Sequence, residues 1–346
     1  MTSGQRAHDV LDHCHHLVDE AVRSLLAGRV GLALYDMVRY HLGYAGPDGR
    51  PAAASVGKRI RSALCLVSCQ AAGGEAGWAA PAAAAIEFLH NSTLLHDDIA
   101  DQDELRRGRP SVWRLWGVGQ AVTAGDSMLG LANLAMAALD QHNVPPAVVI
   151  SALRQLNQAF VEVCEGQHLD LSYEGRADIA VEDYLRMIGL KTSPLLRSAA
   201  AIGAEIGRAP AAVVEAFGSF GADLGLAYQI RDDILGLWGD PGPMGKPVGS
   251  DLRQNKRSLP IVLALNRGAP ALRSRLAEAL SRGIAGEEEA AALASEIEAA
   301  GLRAACEALA REHLGRALRH LEGITLVPGP AADLRDLASH LVERDR

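Results

Sequence analysis

The sequence predicts an all-α protein, in which ten or more helices form a bundle around a central cavity. Apolar residues recur three or four positions apart along most of the chain, as at Leu153, Leu156 and Phe160, which is the spacing of an amphipathic helix. Runs that alternate between apolar and polar residues, as strands do, are almost absent. The 346 residues are 49% apolar, which supplies enough apolar surface for a substantial core.

Segments rich in glycine and proline divide the chain into successive helices, because such clusters are typical of turns. They lie at 43–51, 73–77, 143–146, 239–249 and 328–330. A helical period precedes the first segment, around Val18 and Val22, and it returns after each later one. No shift in composition marks a boundary, so residues 1–346 are predicted to form one domain.

The charge and the cysteine content narrow the range of partners and compartments. The net charge of −8 and the pI near 5.8 argue against binding to a nucleic-acid backbone. Five cysteines without a CxxC pair are typical of a reducing compartment. The polar start of the chain and the shortness of its apolar stretches predict no secretory signal and no membrane span. We therefore expect a cytoplasmic protein.

Two acidic clusters interrupt otherwise apolar segments. The first is the HDDIAD sequence with Asp97, Asp98 and Asp101, and the second is the QIRDD sequence that ends with Asp232 and Asp233. Adjacent carboxylates repel each other, and burying them in apolar surroundings is unfavourable without a positive charge. A hard divalent cation is a suitable partner because it prefers oxygen ligands. Since Asp97 and Asp101 are four residues apart, they share one face of a helix.

Basic residues stand in several short groups around these clusters. Arginine in particular matches phosphate oxygens through two parallel hydrogen bonds. The groups are numerous enough to hold two diphosphates, one through metal ions and one directly. The basic residues are Lys58, Arg61, Arg106, Arg107, Lys191, Lys246 and Lys256.

Seven short motifs occur in an order and spacing that resemble one enzyme family. They are GKRIR at 57–61, FLHNSTLLHDDIAD at 88–101, RRGRP at 106–110, GQHLD at 166–170, KT at 191–192, YQIRDD at 228–233 and GKPVGSDLRQNK at 245–256. On these motifs the chain resembles the trans-isoprenyl diphosphate synthases of the polyprenyl synthase family, of the farnesyl and geranylgeranyl type. The motif-bearing region spans about residues 55–265, and the helices after it are expected to be structural.

The resemblance implies a magnesium site built from both acidic clusters. Asp97, Asp101 and Asp232 resemble the metal ligands, while Asp98 and Asp233 resemble supporting residues. As many as three Mg²⁺ ions are implied. They would neutralise the leaving diphosphate, so that the allylic carbon–oxygen bond can ionise.

The resemblance also implies two binding sites for diphosphates. The residues implied for the allylic diphosphate are Arg106, Lys191, Lys246 and Lys256. The residues implied for isopentenyl diphosphate are Lys58, Arg61, His90 and Arg107. Thr192 and Gln229 lie where the family stabilises the developing carbocation, and Gln167 and Asp170 resemble residues that line the same cavity.

A few positions depart from the family pattern. Gly236 stands where the family often has a third aspartate, which weakens the second metal cluster, and Asp240 lies one turn further on. Val56 replaces a glycine and Ser62 replaces a proline around GKRIR. These last two changes are expected to be tolerated.

Product length is expected to depend on how far the growing chain can extend along the helix that carries Asp97. In family members that make C15 products, bulky aromatic residues tend to occupy the positions of Ser92 or Thr93. Both are small here, so Leu89 is the next predicted obstruction. We therefore expect the C20 product geranylgeranyl diphosphate, with C25 as the next length.

Two other functions remain open at this stage. A class I terpene synthase on the same fold would cyclise a prenyl diphosphate, and Trp113 and Trp116 after the arginine pair are compatible with it. Such a cyclase has no need of an isopentenyl diphosphate site. An inactive subunit of a heteromeric synthase is the other alternative, although intact Asp97, Asp101 and Asp232 argue against it. The family resemblance implies a homodimer.

The N-terminal segment contains histidines and aspartates that could suggest a metal site. They are His8, Asp9, Asp12, His13, His15 and His16, with Cys14 among them. Because charged residues at helical spacing usually form a solvated face, we interpret this segment as an amphipathic helix.

Overall fold

The computed structural model describes residues 3–52, 57–239 and 249–343, and it confirms the all-α prediction. Within these ranges the chain forms sixteen α-helices, one 3-10 helix and one hairpin of two short strands. The first helices and the hairpin are α1 (Ser3–Ala27), α2 (Ala33–His41), α3 (Ile60–Ala71), α4 (Ala76–Ala100), β1 (Leu105–Arg106), β2 (Arg109–Pro110), α5 (Val112–Trp116), α6 (Val118–Ala137) and the 3-10 helix (Ala138–His142). The later helices are α7 (Pro146–Tyr173), α8 (Val181–Lys191), α9 (Ser193–Ile206), α10 (Ala211–Trp238), α11 (Ser250–Arg253), α12 (Leu259–Arg267), α13 (Pro270–Arg282), α14 (Glu287–Ala299), α15 (Leu302–His320) and α16 (Pro328–Glu343).

The chain groups into two compact units, and each is interrupted in sequence. The first unit contains the described residues of Met1–Gln158, Ser198–Phe217 and Ile324–Asp336. The second contains those of Ala159–Arg197, Gly218–Gly323 and Leu337–Arg346. The single-domain organisation stays a prediction.

Helix α4 is the centre of the first unit. It packs against α1, α3 and α6, and it is buried almost all round between Ala82 and Leu89. A helix enclosed in this way needs apolar residues on every side, which explains the alanine-rich sequence before the first acidic cluster. Towards its C-terminus one side of the helix becomes half-exposed, at Thr93 and Asp97, while Leu95 and Asp98 stay buried.

Helix α12 has the corresponding place in the second unit. It packs against α8, α13, α14 and α15, and Leu259 and Ile261 are completely buried in it. The outer faces of the later helices carry arginine–glutamate pairs, such as Arg303 with Glu298 at 2.8 Å. These pairs give the outer faces of the later helices a charged, solvent-exposed surface.

One described segment, Val118–His142, is long and apolar enough to cross a membrane by length and composition alone. Its most apolar window of 18 residues has a mean hydropathy of 1.3, and 44% of that window is buried. The sequence suggested that the apolar stretches are too short to span a membrane. Core helices of globular proteins pass the same test.

Candidate active site

The first acidic cluster occupies the C-terminal turn of α4. Asp101 ends the helix, and its backbone N–H donates to the carbonyl oxygen of Asp97 at 2.8 Å. Both carboxylates are half-buried, and they follow each other by one turn, about 6 Å along the axis. This arrangement gives the pair a common, accessible face, as the sequence predicts.

Asp98 has a different environment from its two neighbours. Its side chain is 1% exposed, and its Oδ1 atom accepts a hydrogen bond from Nε of Arg106 at 2.7 Å. Burial raises the pKa of Asp98 to about 6, against the opposing effect of Arg106. The second oxygen, Oδ2, is buried without a hydrogen-bond partner. Asp98 therefore positions Arg106 through Oδ1, while Oδ2 is enclosed by the protein.

The two adjacent arginines of the RRGRP motif point to different partners. The hairpin pairs Arg106 with Arg109, which leaves Arg107 and Gly108 in the turn. Both turn residues have positive φ angles, 54° and 72°, as two-residue hairpin turns require. Arg107 donates from Nη2 to the side-chain oxygen of Asn91 at 3.3 Å. The turn thus separates the two guanidinium groups.

The residues predicted for isopentenyl diphosphate lie together in the first unit. Nη1 of Arg61 donates to Nε2 of His90 at 3.2 Å. A Cβ atom placed on Gly57 would lie 2.9 Å from Nη2 of Arg107, so the segment that carries Lys58 passes directly beside that arginine. Burial, and then Arg61 and Arg107, hold the pKa of His90 well below its usual value. A neutral His90 can therefore accept a hydrogen bond from Arg61.

A buried polar network supports this basic set, and the sequence reasoning missed it. Glu87 is 3% exposed, and its carboxylate accepts hydrogen bonds from Ser62 at 2.7 Å and from Asn91 at 2.8 Å. Asn91 in turn accepts the bond from Arg107. The sequence did contain a signal for this network, because Glu87 and Asn91 are polar residues four apart in an apolar helix and therefore lie on the same side of it. Ser62, which replaces the family's proline, therefore has a role as a hydrogen-bond donor to Glu87.

The second unit brings together four other predicted residues. Nζ of Lys191 lies 2.5 Å from Oδ2 of Asp170, and Oγ1 of Thr192 donates to Oε1 of Gln229 at 2.7 Å. The approach of α7 to this turn depends on Gly166, since a Cβ atom there would lie 2.2 Å from the backbone nitrogen of Lys191.

Gln167 follows directly in the chain and is half-buried. Both its side-chain oxygen and its nitrogen are buried without hydrogen-bond partners. Buried polar atoms in native proteins are nearly always paired. Gln167 is therefore suited to contact a bound molecule, and its place in the cavity lining stays a prediction.

The two aspartates of the second cluster differ in the same way as those of the first. Asp233 is buried, and it accepts hydrogen bonds from Tyr184 at 2.5 Å, from Gln229 at 3.0 Å and from the backbone N–H of Leu259 at 2.7 Å. Burial, followed by Asp251, raises the pKa of Asp233 to about 7. Asp232 is half-buried. Asp233 thus joins α8, α10 and α12. Asp232 is the more accessible of the two, as its predicted role as a metal ligand requires.

The space beside Gly236 is already occupied by another carboxylate. A Cβ atom at Gly236 would lie 2.5 Å from Oδ2 of Asp251. A third aspartate at this position would therefore meet a like charge. Asp240, which the sequence suggested as a partial substitute, lies outside the described residues, as do Val56 and Lys246.

The carboxylates predicted as metal ligands offer oxygen donors, which suit a hard divalent cation. Carboxylate oxygens are the ligands that Mg²⁺ prefers, and the ion usually completes its shell with water and substrate phosphates. Among the described residues, no group of three or more histidines, cysteines or acids is gathered as a metal site. This statement includes the described part of α1, where His8, Asp12 and His16 are exposed. Asp97 and Asp101 lie in the first unit, and Asp232 and Lys256 lie in the second.

The predicted chain-length residues lie at different depths. Leu89 and Ser92 are completely buried, whereas Thr93 is half-buried. Thr93 donates from Oγ1 to the carbonyl oxygen of His90 at 2.7 Å. Of the three residues, Thr93 is the one placed on the accessible side of α4.

Comparison with known proteins places the chain in one family. A model of that family, Polyprenyl synthetase, matches residues 50–297. A (2E,6E)-farnesyl diphosphate synthase of Mycobacterium tuberculosis is 39% identical over 98% of this chain and 94% of the relative. A geranylgeranyl diphosphate synthase of the same organism is 43% identical over 72% of this chain and 68% of the relative.

Solved structures agree with this assignment. The crystal structure of a polyprenyl synthetase from Streptomyces coelicolor has a TM-score of 0.90 and 36% identity, covering 97% of this chain and 99% of that one. A geranylgeranyl pyrophosphate synthetase from Pyrococcus horikoshii has a TM-score of 0.86 and 31% identity, with the same shares of each chain. The chain therefore belongs to the polyprenyl synthetase family, and it is a trans-prenyl diphosphate synthase with an all-α fold.

Proposed function

We propose that this synthase condenses isopentenyl diphosphate with an allylic diphosphate in the presence of Mg²⁺ and makes geranylgeranyl diphosphate, the C20 product. The observation that carries the proposal is the convergence of Arg61, His90 and Arg107, with Lys58 on the adjoining segment. A chain-elongating enzyme needs a site for a second diphosphate, and a cyclase does not. This basic set supports elongation over the cyclase alternative.

In the proposed mechanism, one set of side chains holds the leaving diphosphate. The family resemblance assigns the binding of its oxygens to Arg106, Lys191, Lys246 and Lys256, of which Lys246 lies outside the described residues. Asp97, Asp101 and Asp232 would hold Mg²⁺, as many as three ions, which supplies positive charge against the leaving group. Arg106 is oriented for this task by Asp98.

The second set of side chains holds isopentenyl diphosphate close to the allylic carbon. The allylic carbon–oxygen bond breaks, and the double bond of isopentenyl diphosphate attacks the resulting carbocation. Thr192 and Gln229 direct oxygen atoms towards the positive charge, and Gln167 and Asp170 line the cavity. The released diphosphate accepts the proton that the new carbon–carbon bond displaces. Much of the rate gain comes from holding the two reactants in place.

The C20 product is supported by the position of Thr93. It is small, half-buried and one turn before Asp97, whereas Ser92 and Leu89 are already enclosed by the protein. Neither Ser92 nor Thr93 is aromatic, so no ring at these two positions of α4 blocks the proposed path of the growing chain. The named relatives include both farnesyl and geranylgeranyl synthases, so their names leave the product length to experiment.

We further propose that the enzyme is a cytoplasmic homodimer. Helix α6 exposes Val118, Val122 and Leu134, at 51%, 39% and 54%. Exposed apolar residues on one helix favour burial against another protein surface. Light scattering of the purified protein tests the dimer.

One assay tests the proposed activity. The purified protein and Mg²⁺ are incubated with each allylic diphosphate, with and without isopentenyl diphosphate, and both diphosphates and hydrocarbons are analysed. We expect a C20 diphosphate that forms only when isopentenyl diphosphate is present. A hydrocarbon formed without it would establish a cyclase, and no turnover under any condition would favour an inactive partner subunit.

A further inference from the structure

Arg59 has an unusual position between two predicted ligands of isopentenyl diphosphate. It follows Lys58 and directly precedes α3, which carries Arg61 on its first turn. Its backbone is left-handed, with φ of 46°, a conformation that costs free energy for a residue other than glycine. Its side chain is only 2% exposed. Both features need compensating contacts.

Those contacts come from α1 and from the segment after α2. Nη2 of Arg59 lies 2.6 Å from Oδ1 of Asp19 and donates to the hydroxyl of Tyr44 at 2.6 Å. Nη1 donates to the backbone carbonyl of His15 at 3.2 Å. The Tyr44 hydroxyl donates in turn to Asp19 at 2.8 Å. Both terminal nitrogens of the guanidinium are therefore engaged by α1 and Tyr44, while Nε is buried without a hydrogen-bond partner.

A second contact ties α1 to the same segment. Nε2 of His15 donates to the backbone carbonyl of Lys58 at 3.1 Å. Helix α1 thus contacts the backbone of Lys58 and the side chain of the next residue. On the other side of Lys58, Gly57 lies against Arg107. The backbone that carries Lys58 is held between α1 and the basic set.

We propose that Arg59 is a positioning residue, which fastens the GKRIR segment to α1 and so fixes Lys58 and Arg61 for isopentenyl diphosphate. The proposal rests on the proposed function and gives α1 a role in it. Residues 3–27 lie before the region that matches the family model, which begins at residue 50. The N-terminal helix therefore contributes to one substrate site without touching the substrate.

The test compares Asp19→Asn and Arg59→Lys with a matched control, Arg23→Gln. Arg23 also pairs with Asp19, at 2.9 Å, and lies over the ring of Tyr44. Its replacement disturbs the same corner of α1 and leaves the bonds of Arg59 intact. Steady-state kinetics give KM for each substrate separately.

We expect Asp19→Asn to raise KM for isopentenyl diphosphate by about tenfold, which corresponds to about 1.4 kcal/mol of lost binding free energy. KM for the allylic diphosphate should change less than about twofold on the same scale. Arg59→Lys keeps the charge and should show a smaller rise, and Arg23→Gln should behave as the wild type. Equal changes in both KM values, no change in either, or the same rise in the control would overturn the proposal.

Two further measurements separate this inference from the proposed function. Calorimetric titration with isopentenyl diphosphate should show the same loss of affinity in Asp19→Asn. A lower midpoint of thermal unfolding with unchanged affinity would reduce Arg59 to a structural role and overturn the proposal. If the wild type itself does not elongate with isopentenyl diphosphate, the proposed function fails first.

Discussion

Asp98 accepts a hydrogen bond from Nε of Arg106 at 2.7 Å, so the middle carboxylate of the first acidic cluster is engaged by an arginine. Its neighbours Asp97 and Asp101 share the accessible face of the same helix end. Three aspartates that look alike in sequence therefore have two kinds of environment.

This difference predicts separate effects for two isosteric changes. Asp97→Asn removes a proposed ligand, and we expect the Mg²⁺ concentration at half-maximal rate to rise by about tenfold, the effect of about 1.4 kcal/mol. Asp98→Asn removes the charge that orients Arg106, and KM for the allylic diphosphate should rise while the Mg²⁺ requirement changes little. Initial rates over a Mg²⁺ series measure both. Identical Mg²⁺ profiles for the two variants would contradict the assignment.

Tyr184 and Asp232 test the second cluster. The buried hydroxyl of Tyr184 donates to Asp233 at 2.5 Å, so Tyr184→Phe should lower the free energy of unfolding by about 1–3 kcal/mol. Asp232→Asn should leave stability almost unchanged and reduce activity strongly. Urea unfolding and initial rates, measured on both variants, distinguish these outcomes. A stable Tyr184→Phe protein would show that the bond contributes little.

Restoring the family's third aspartate should harm this protein. The carboxylate of Asp251 lies where the side chain of Gly236→Asp would begin. We expect a loss of about 1–3 kcal/mol in the free energy of unfolding from overpacking and like charges, and no gain in activity. The loss should be smaller when Asp251→Ala is also present, because the two changes share one space. Additive losses would refute the contact.

Thr93→Phe should shorten the product. The new ring would stand about 6 Å along α4 from Asp97, on the half-exposed side of the helix. Thr93→Ser is the control, since it keeps a hydroxyl that can bond to the carbonyl of His90. Chromatography of the dephosphorylated products measures chain length. An unchanged length in Thr93→Phe would mean that Thr93 does not border the growing chain.

His41 should make stability depend on pH. Burial, and then Arg107 and Arg106, lower the pKa of His41 to about 3. Below the unfolded value near 6.5, the unfolded chain takes up a proton that the folded chain does not. The contribution of neutral His41 to the free energy of unfolding is therefore complete above pH 6.5. It is lost as the pH falls towards 3, by up to about 1.4 kcal/mol per pH unit.

Replacing the imidazole tests this dependence. In His41→Asn, the free energy of unfolding should fall less between pH 7.5 and pH 5 than it does in the wild type, within the ~1.4 kcal/mol per unit limit. Urea titrations at both pH values measure the difference. Parallel decreases in the two proteins would show that His41 does not titrate differently on folding.

The motif residues and the helical period were enough to predict the all-α fold and the family, whereas the role of the isopentenyl set stays a prediction. Arg61, His90 and Arg107 are far apart in the chain, yet a shared family pattern groups them. The pattern did not reveal Glu87, Asn91 or the contacts of Arg59. Those residues act on the substrate ligands indirectly, and buried polar partners are chosen by packing rather than by local spacing.

The sequence by itself determined which residue types this protein has for binding cations and diphosphates, because residue chemistry and helical spacing are local properties. Only the tertiary structure decided which member of each acidic pair is accessible. Asp98 and Asp233 are buried by neighbouring helices and hydrogen-bonded there, whereas Asp97 and Asp232 are half-exposed. Burial depends on elements distant in sequence, and desolvation then gives chemically identical side chains different partners.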